Sequence, residues 1–134
     1  MIDDTLLLRQ VHPSWVQGNA ISIQTFTSQT FKPTPKDNGL LSVYNGDVFT
    51  AVEAYEHYTD TIGLTSAGIV AVSKKECDSI DLAVIEDNDP FEGHCSLDYR
   101  SFIAVKREVK RIASMLKLFA TERGWLYQPK TNSR

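Results

Sequence analysis

Three imidazoles and one early arginine are the residues most able to do chemistry in this chain of 134 residues. The stretch "TLLLRQVHPSWVQ" brings Arg9, His12 and Trp15 within seven positions, and Ser28, His57 and His94 follow further along. A pair of imidazoles can act as general base and general acid in phosphodiester cleavage, with an arginine stabilising the charged intermediate. His12 and His94, with Arg9 and Ser28, are the candidates for such a metal-independent nuclease site. A metal centre needs ligands that converge, and no two of the histidines have local ligand spacing, so neither metal nor cofactor is expected. The P-loop, GxGxxG, HExxH, GxSxG and paired CxxC patterns are absent, which removes the commonest nucleotide, zinc-protease and hydrolase readings.

A second arrangement of the same residues is an ADP-ribosyltransferase-like pair. Folds of that kind place an Arg or His on an early strand opposite a Ser/Thr-rich strand and hold a dinucleotide between them. Arg9 and "TSQTF" would fill those roles, with Glu86 or Glu92 as the downstream acid. Against both enzymatic readings stands a structural one, in which a buried arginine hydrogen-bonds loop carbonyls.

Charge is distributed unevenly. Residues 1–99 carry five Lys/Arg against fifteen Asp/Glu, whereas residues 100–134 carry nine against two. Eight acids and no basic residue lie between Glu76 and Asp98. Lys106, Lys110 and Lys117 fall along one line of a helical pattern, flanked by Arg107 and Arg111. Such a ridge could track a phosphate backbone, but it lacks interleaved aromatics. It serves equally as a solvated outer face or as a surface for an acidic partner. Phe26, Phe31, Tyr44, Tyr55 and Tyr58 read as core aromatics.

The elements that must position these residues follow from periodicity and turn chemistry. A strand is expected at 5–11, ended by Pro13. "ISIQTFTSQTF" reads as a strand that switches phase after Phe26. Further strands are expected at 40–44, 68–73, 81–86 and 93–99. Thr50 with Glu53, and Ser73 with Glu76, have the capping-box spacing and open two short helices. From Phe102 the apolar residues recur at 102, 105, 109, 112, 116 and 119, widened by Ile103, Ala113 and Ala120. That stripe predicts a long amphipathic helix with Ser101 as N-cap and Gly124 as its stop. Strands and helices without βαβ alternation predict an α+β fold: a mostly antiparallel sheet packed against the C-terminal helix.

With 42% hydrophobic and 23% charged residues, the composition suits one globular domain over 1–134, with about 1–4 and 129–134 flexible. Two lone cysteines, Cys77 and Cys95, no signal-peptide pattern and no long apolar run lead to the expectation of a cytoplasmic protein without a membrane span.

"LLRQVHPSWVQ" followed by "TSQTFKPTPKDNGLLSVYNGD" resembles a family of small, uncharacterised bacterial proteins. Its members share an L-R-[RQ]-[IV]-x-P-x-[WY]-[VI] stretch, then [PT]-S-x-x-F, a short "LSV", a later histidine and a basic C-terminal helix. The matching positions here are Arg9, Pro13, Trp15, Ser28, Phe31 and His94. The resemblance implies an accessory component of a multigene bacterial cassette, including defence or toxin-related ones, acting by binding a protein encoded nearby. The acidic 76–98 segment and the basic helix, through Lys106, Arg107, Lys110 and Arg111, are its expected surfaces.

Overall fold

The computed structural model describes residues 1–17 and 25–129. It is an α+β fold built on a five-stranded sheet in the order β5-β1-β4-β7-β6, with every pair antiparallel. The strands are β1 (Leu6–Gln10), β4 (Leu40–Asn45), β5 (Ile69–Ser73), β6 (Ala83–Ile85) and β7 (His94–Asp98). A separate two-stranded ribbon joins β2 (Val16–Gln17) to β3 (Thr25–Phe26). The helices are α1 (Ala51–Glu56), α2 (Lys74–Ser79) and α3 (Lys106–Arg123). No helix among the described residues is long and apolar enough to cross a membrane.

The central and β5 strands read as apolar runs rather than strict alternations because the sheet is covered on both faces. Leu7, Leu41, Val43, Val72 and Leu97 point to one face. There they meet Ile112, Ala113, Leu116 and Ala120 of α3, spaced by one, three and four residues as a helical stripe requires. Phe26 and Phe31 close that core. Leu8, Tyr44, Ile69 and Ala71 point the other way, under α1, into a smaller cluster edged by Phe49, Tyr58 and Phe91. β5 lies at the sheet edge yet is wholly buried, because Tyr127 bridges to Ile69 and covers its free side.

Both capping boxes form as read: Thr50 Oγ1 accepts from the Glu53 amide and Ser73 Oγ from the Glu76 amide, each at 3.1 Å. After Glu56 the first helix widens into a π-turn over His57–Thr61. The start of α3 differs from expectation. Residues 101–104 are turns, the helix begins at Lys106, and Val105 rather than Ser101 is its N-cap, with no side-chain cap. The reason is local: the Phe102 amide bonds back to Tyr99 and the Val105 amide to Phe102, both three-residue steps that precede helix. Ile103 and Val105 are consequently left about half exposed, at 47% each.

The expected strand through Phe31 ends sooner. Thr25–Phe26 is strand, Ser28–Phe31 is a 3-10 turn, and residues 21–24 of that expectation lie outside the described part. At the N-terminus, expected to be flexible, the Asp3 carbonyl accepts from the Lys75 amide at 3.0 Å and the Ile2 amide donates to Thr5 Oγ1 at 3.1 Å.

Candidate functional site

Arg9 sits where two strands part. β1 and β4 are paired at Leu7↔Asn45 and Leu8↔Tyr44, and the ladder stops there. Just beyond, the Arg9 guanidinium supplies the missing donor: Nη1 reaches the Ser42 carbonyl at 2.9 Å and Nε the Thr30 carbonyl at 2.8 Å. The 3-10 turn Ser28–Phe31 leaves its last carbonyls without a partner inside the turn. Arg9 takes the one from Thr30, and the Tyr99 hydroxyl donates to that of Phe31. Trp15 lies 5.7 Å from the guanidinium carbon, as a cation–π partner, and His12 tilts against Trp15 at 5.5 Å. His12 itself is exposed and uses Nδ1 to cap the 3-10 turn Pro13–Trp15, accepting from the Ser14 amide at 3.1 Å. The opening cluster therefore converges, but on carbonyls and rings. Burial pushes the Arg9 pKa below its ordinary value, which the planar fork tolerates because its donors are used.

His94 holds different partners. In β7 it alternates with Cys95 and Leu97, which face the α3 core, so its side chain leaves the sheet on the opposite face, beside Phe91. Its Nδ1 is 2.6 Å from Asp87 Oδ1, and Ser96 Oγ donates to the other carboxylate oxygen at 2.7 Å. Burial pushes the Asp87 carboxyl up, but the hydrogen bonds from His94 and Ser96 outweigh it and hold the pKa below the ordinary 3.8. With Asp87 ionised, the proton of this hydrogen bond sits on His94 Nδ1, so that Nε2 is the acceptor nitrogen of the neutral imidazole. Among the described residues, the buried side-chain polar atoms without a partner are Gln10 Oε1 and Thr30 Oγ1. The unpartnered His94 Nε2 is thus open to solvent, through a cleft of about 170 Å³ lined by Ser42, Tyr44, Tyr58, Ile62, Phe91 and His94 among others.

No hydrogen bond, ion pair or ring contact links Arg9 or Ser28 to His94. Arg9 and Ser28 are neighbours through the 3-10 turn, and Ser28 makes no side-chain hydrogen bond among the described residues. The three residues do not form one hydrogen-bonded group: His94 is paired with Asp87, whereas Arg9 bonds the Thr30 and Ser42 carbonyls and interacts electrostatically with Tyr58, which together with Ser42 lines the His94 cleft. Arg9 spends Nε and Nη1 on backbone, and His12 belongs to the Trp15 turn. Glu86 and Glu92 are exposed on the β6–β7 connection, away from Arg9. Among the described residues no three His, Cys, Asp or Glu side chains come together as a metal-holding group. Cys77 and Cys95 are free and buried, and burial pushes their thiols to about 12 and about 11, which leaves them unreactive.

Sequence reasoning missed Asp87 and Phe91, named His57 without a partner and read Tyr44 only as a core aromatic. His57 Nδ1 and the Tyr44 hydroxyl are 2.8 Å apart, and the rings of His57 and His94 lie 4.4 and 5.3 Å from that of Phe91. A signal for Asp87 existed. Pairing "AVI" with "SLD" as a hairpin gives Ile85↔Ser96, and the same register carried two residues further sets Asp87 opposite His94.

The two charged segments also part company. In the acidic one, Glu76 holds Arg123 at 2.9 Å, Asp78 holds Lys74 at 2.7 Å, Asp87 holds His94 and Asp98 holds Arg100 at 2.9 Å. With Glu86 on the N-terminal amine at 3.7 Å, five of its eight acids have partners, and Asp81, Asp89 and Glu92 have no ion pair among the described residues. On α3, Arg111 is spent on Glu108, at 3.0 Å, and Lys117 is half-buried. Lys106 and Lys110 instead join Lys32 around Ile103 and Val109, in a groove of about 310 Å³. Past Ile103 the groove continues into a hollow of about 500 Å³ lined by Pro33, Thr34, Pro35, Asn38 and Gly39. None of the three lysines has an ion-pair partner among the described residues.

Comparison with protein-family models, with curated proteins and with solved structures returned no match.

Proposed function

We propose that this chain is a bacterial cytosolic accessory protein that works by binding, and that its docking surface is the groove between Lys32 and the first turns of α3. The observation that carries this reading is Ile103. It is 47% exposed, is shared by both hollows, and stands beside three lysines that have no ion-pair partner among the described residues. A half-exposed aliphatic side chain beside uncompensated cations suits an extended partner segment with an aliphatic residue between acids. The acidic 76–98 segment is a poorer docking surface because four of its eight carboxylates already hold Arg123, Lys74, His94 and Arg100, and Glu86 faces the N-terminal amine. Membership of a multigene cassette, defence-related or other, rests on the resemblance at Arg9, Pro13, Trp15, Ser28, Phe31 and His94. None of those residues lines the groove.

The test is selection from a displayed library of random peptides, followed by titration of the enriched sequences. Peptides with Asp or Glu flanking Leu, Ile or Val should be enriched. Their affinity should fall at least about tenfold in the double variant Lys106→Glu, Lys110→Glu, as expected when charges facing a partner are reversed. Enrichment indifferent to that reversal would sink the proposal. So would retention of a duplex oligonucleotide, but no peptide, by the same lysines.

A further inference from the structure

We propose that the cleft beside His94 is a second site, one that takes a single planar ring carrying an N–H or O–H donor. This site is separate from the lysine groove and does not rest on the docking reading.

Three features fix the class of ligand. The first is size. The cleft holds about 170 Å³, close to the ~150 Å³ cavity known in another protein to admit benzene. That is room for one ring, or for the ring end of a larger molecule, and is below the range of drug-sized pockets. The second is the wall. Tyr44, Tyr58 and Phe91 line the cleft, with Ile62 44% exposed at its rim. The Tyr44 and Phe91 rings already pack at 5.1 Å, so the wall is an aromatic surface held in place before any ligand arrives. The third is polarity. Asp87 takes the proton side of the His94 ring at 2.6 Å, and its second oxygen is held by Ser96 at 2.7 Å. The imidazole cannot easily turn over, and in its neutral form it presents Nε2 as an acceptor of fixed direction. An apolar ring fills such a cleft but leaves that nitrogen unsatisfied, whereas a phenol, indole or purine edge completes it.

The site is tested on the whole protein by ¹H–¹⁵N spectra during titration with phenol, and in parallel with toluene, which has the same outline without the donor. Phenol should give saturable shifts confined to residues 42–44, 58, 62 and 90–94, and should move the Nε2 resonance of His94. Toluene should bind about five- to tenfold more weakly, the loss expected for one net hydrogen bond. Ile62→Trp, at an exposed rim position that leaves the core intact, should fill the cleft and abolish both. Lys106→Glu, Lys110→Glu should leave phenol binding unchanged, which separates this site from the groove. Scattered or non-saturable shifts would overturn the proposal, as would equal affinity for toluene or full binding by the Ile62→Trp protein.

Discussion

The two faces of the sheet bury their residues by different means. Toward α3 the packing is largely aliphatic, with Leu7, Leu41, Val72 and Leu97 set against one long helix and Phe26, Phe31 and Tyr99 filling the edge. Toward α1 the cover is a six-residue helix and a π-turn, and the space is filled by Tyr44, Phe49, His57 and Phe91. Aliphatic chains interdigitate and close the first face. Rings meeting edge to face, with two histidines among them, leave the second face with a cleft and a free nitrogen. Stability thus concentrates on the α3 side and ligand chemistry on the α1 side, while the lysine groove borrows only the outer surface of α3.

The contrast is broken most severely at Leu116. Leu116→Ala, wholly inside the α3 core, should cost about 3–5 kcal/mol in urea unfolding, from lost transfer energy and the cavity left behind. A loss under about 1 kcal/mol would mean that the face is not closed as described.

Next is Arg9, which ties the two strands and the turn together from between them. Arg9→Met should cost about 3 kcal/mol, since it strands the Thr30 and Ser42 carbonyls without donors. Arg9→Lys should recover less than half of that, because a single ammonium cannot reproduce the planar fork. Full rescue by lysine would show that charge alone is at work.

Asp87 gives a smaller effect with a pH signature. Its carboxyl is held below 3.8 when folded, so it contributes stability that is present above that value and lost as pH falls through the depressed one. The advantage of the native protein over Asp87→Asn should be about 1–2 kcal/mol near neutrality. It should shrink as pH falls below the ordinary carboxylate value and be lost once the depressed one is passed. A gap that persisted in full after that point would contradict the assigned pairing. Smallest of all, Lys106→Glu, Lys110→Glu should change stability by under about 0.5 kcal/mol, because exposed positions without partners contribute little. Thermal melts of the two proteins should superimpose even where peptide binding is lost.

Much of the fold was legible in the sequence because it depends on short-range rules. The capping boxes at Thr50 and Ser73 act over three residues, and both form. The stripe through Ile112, Leu116 and Ala120 is a property of helix geometry, and the helix is there. The start of α3 was less legible. Tyr99 is buried and bonded to the Phe31 carbonyl, so the chain leaves β7 through tight turns that the apolar periodicity of Phe102 and Val105 conceals.

The site was only half legible. His94 was singled out, but its partner was not, since Asp87 meets it only through the register of β6 on β7. Arg9 was singled out with enzymatic and structural readings open, and where β1 leaves β4 its guanidinium bonds two backbone carbonyls, as the structural reading expects.

By itself the sequence determined the α+β class, the long amphipathic helix, the capped short helices and the uneven charge, because periodicity, caps and composition act within a few residues. Only the tertiary structure decided which distant charges pair, and that Arg9 and His94 bond separate partners. The Glu76–Arg123 pair and the surroundings of Arg9 depend on strand order and packing between residues tens of positions apart, whereas Lys74–Asp78, Asp98–Arg100 and Glu108–Arg111 pair within one turn or loop.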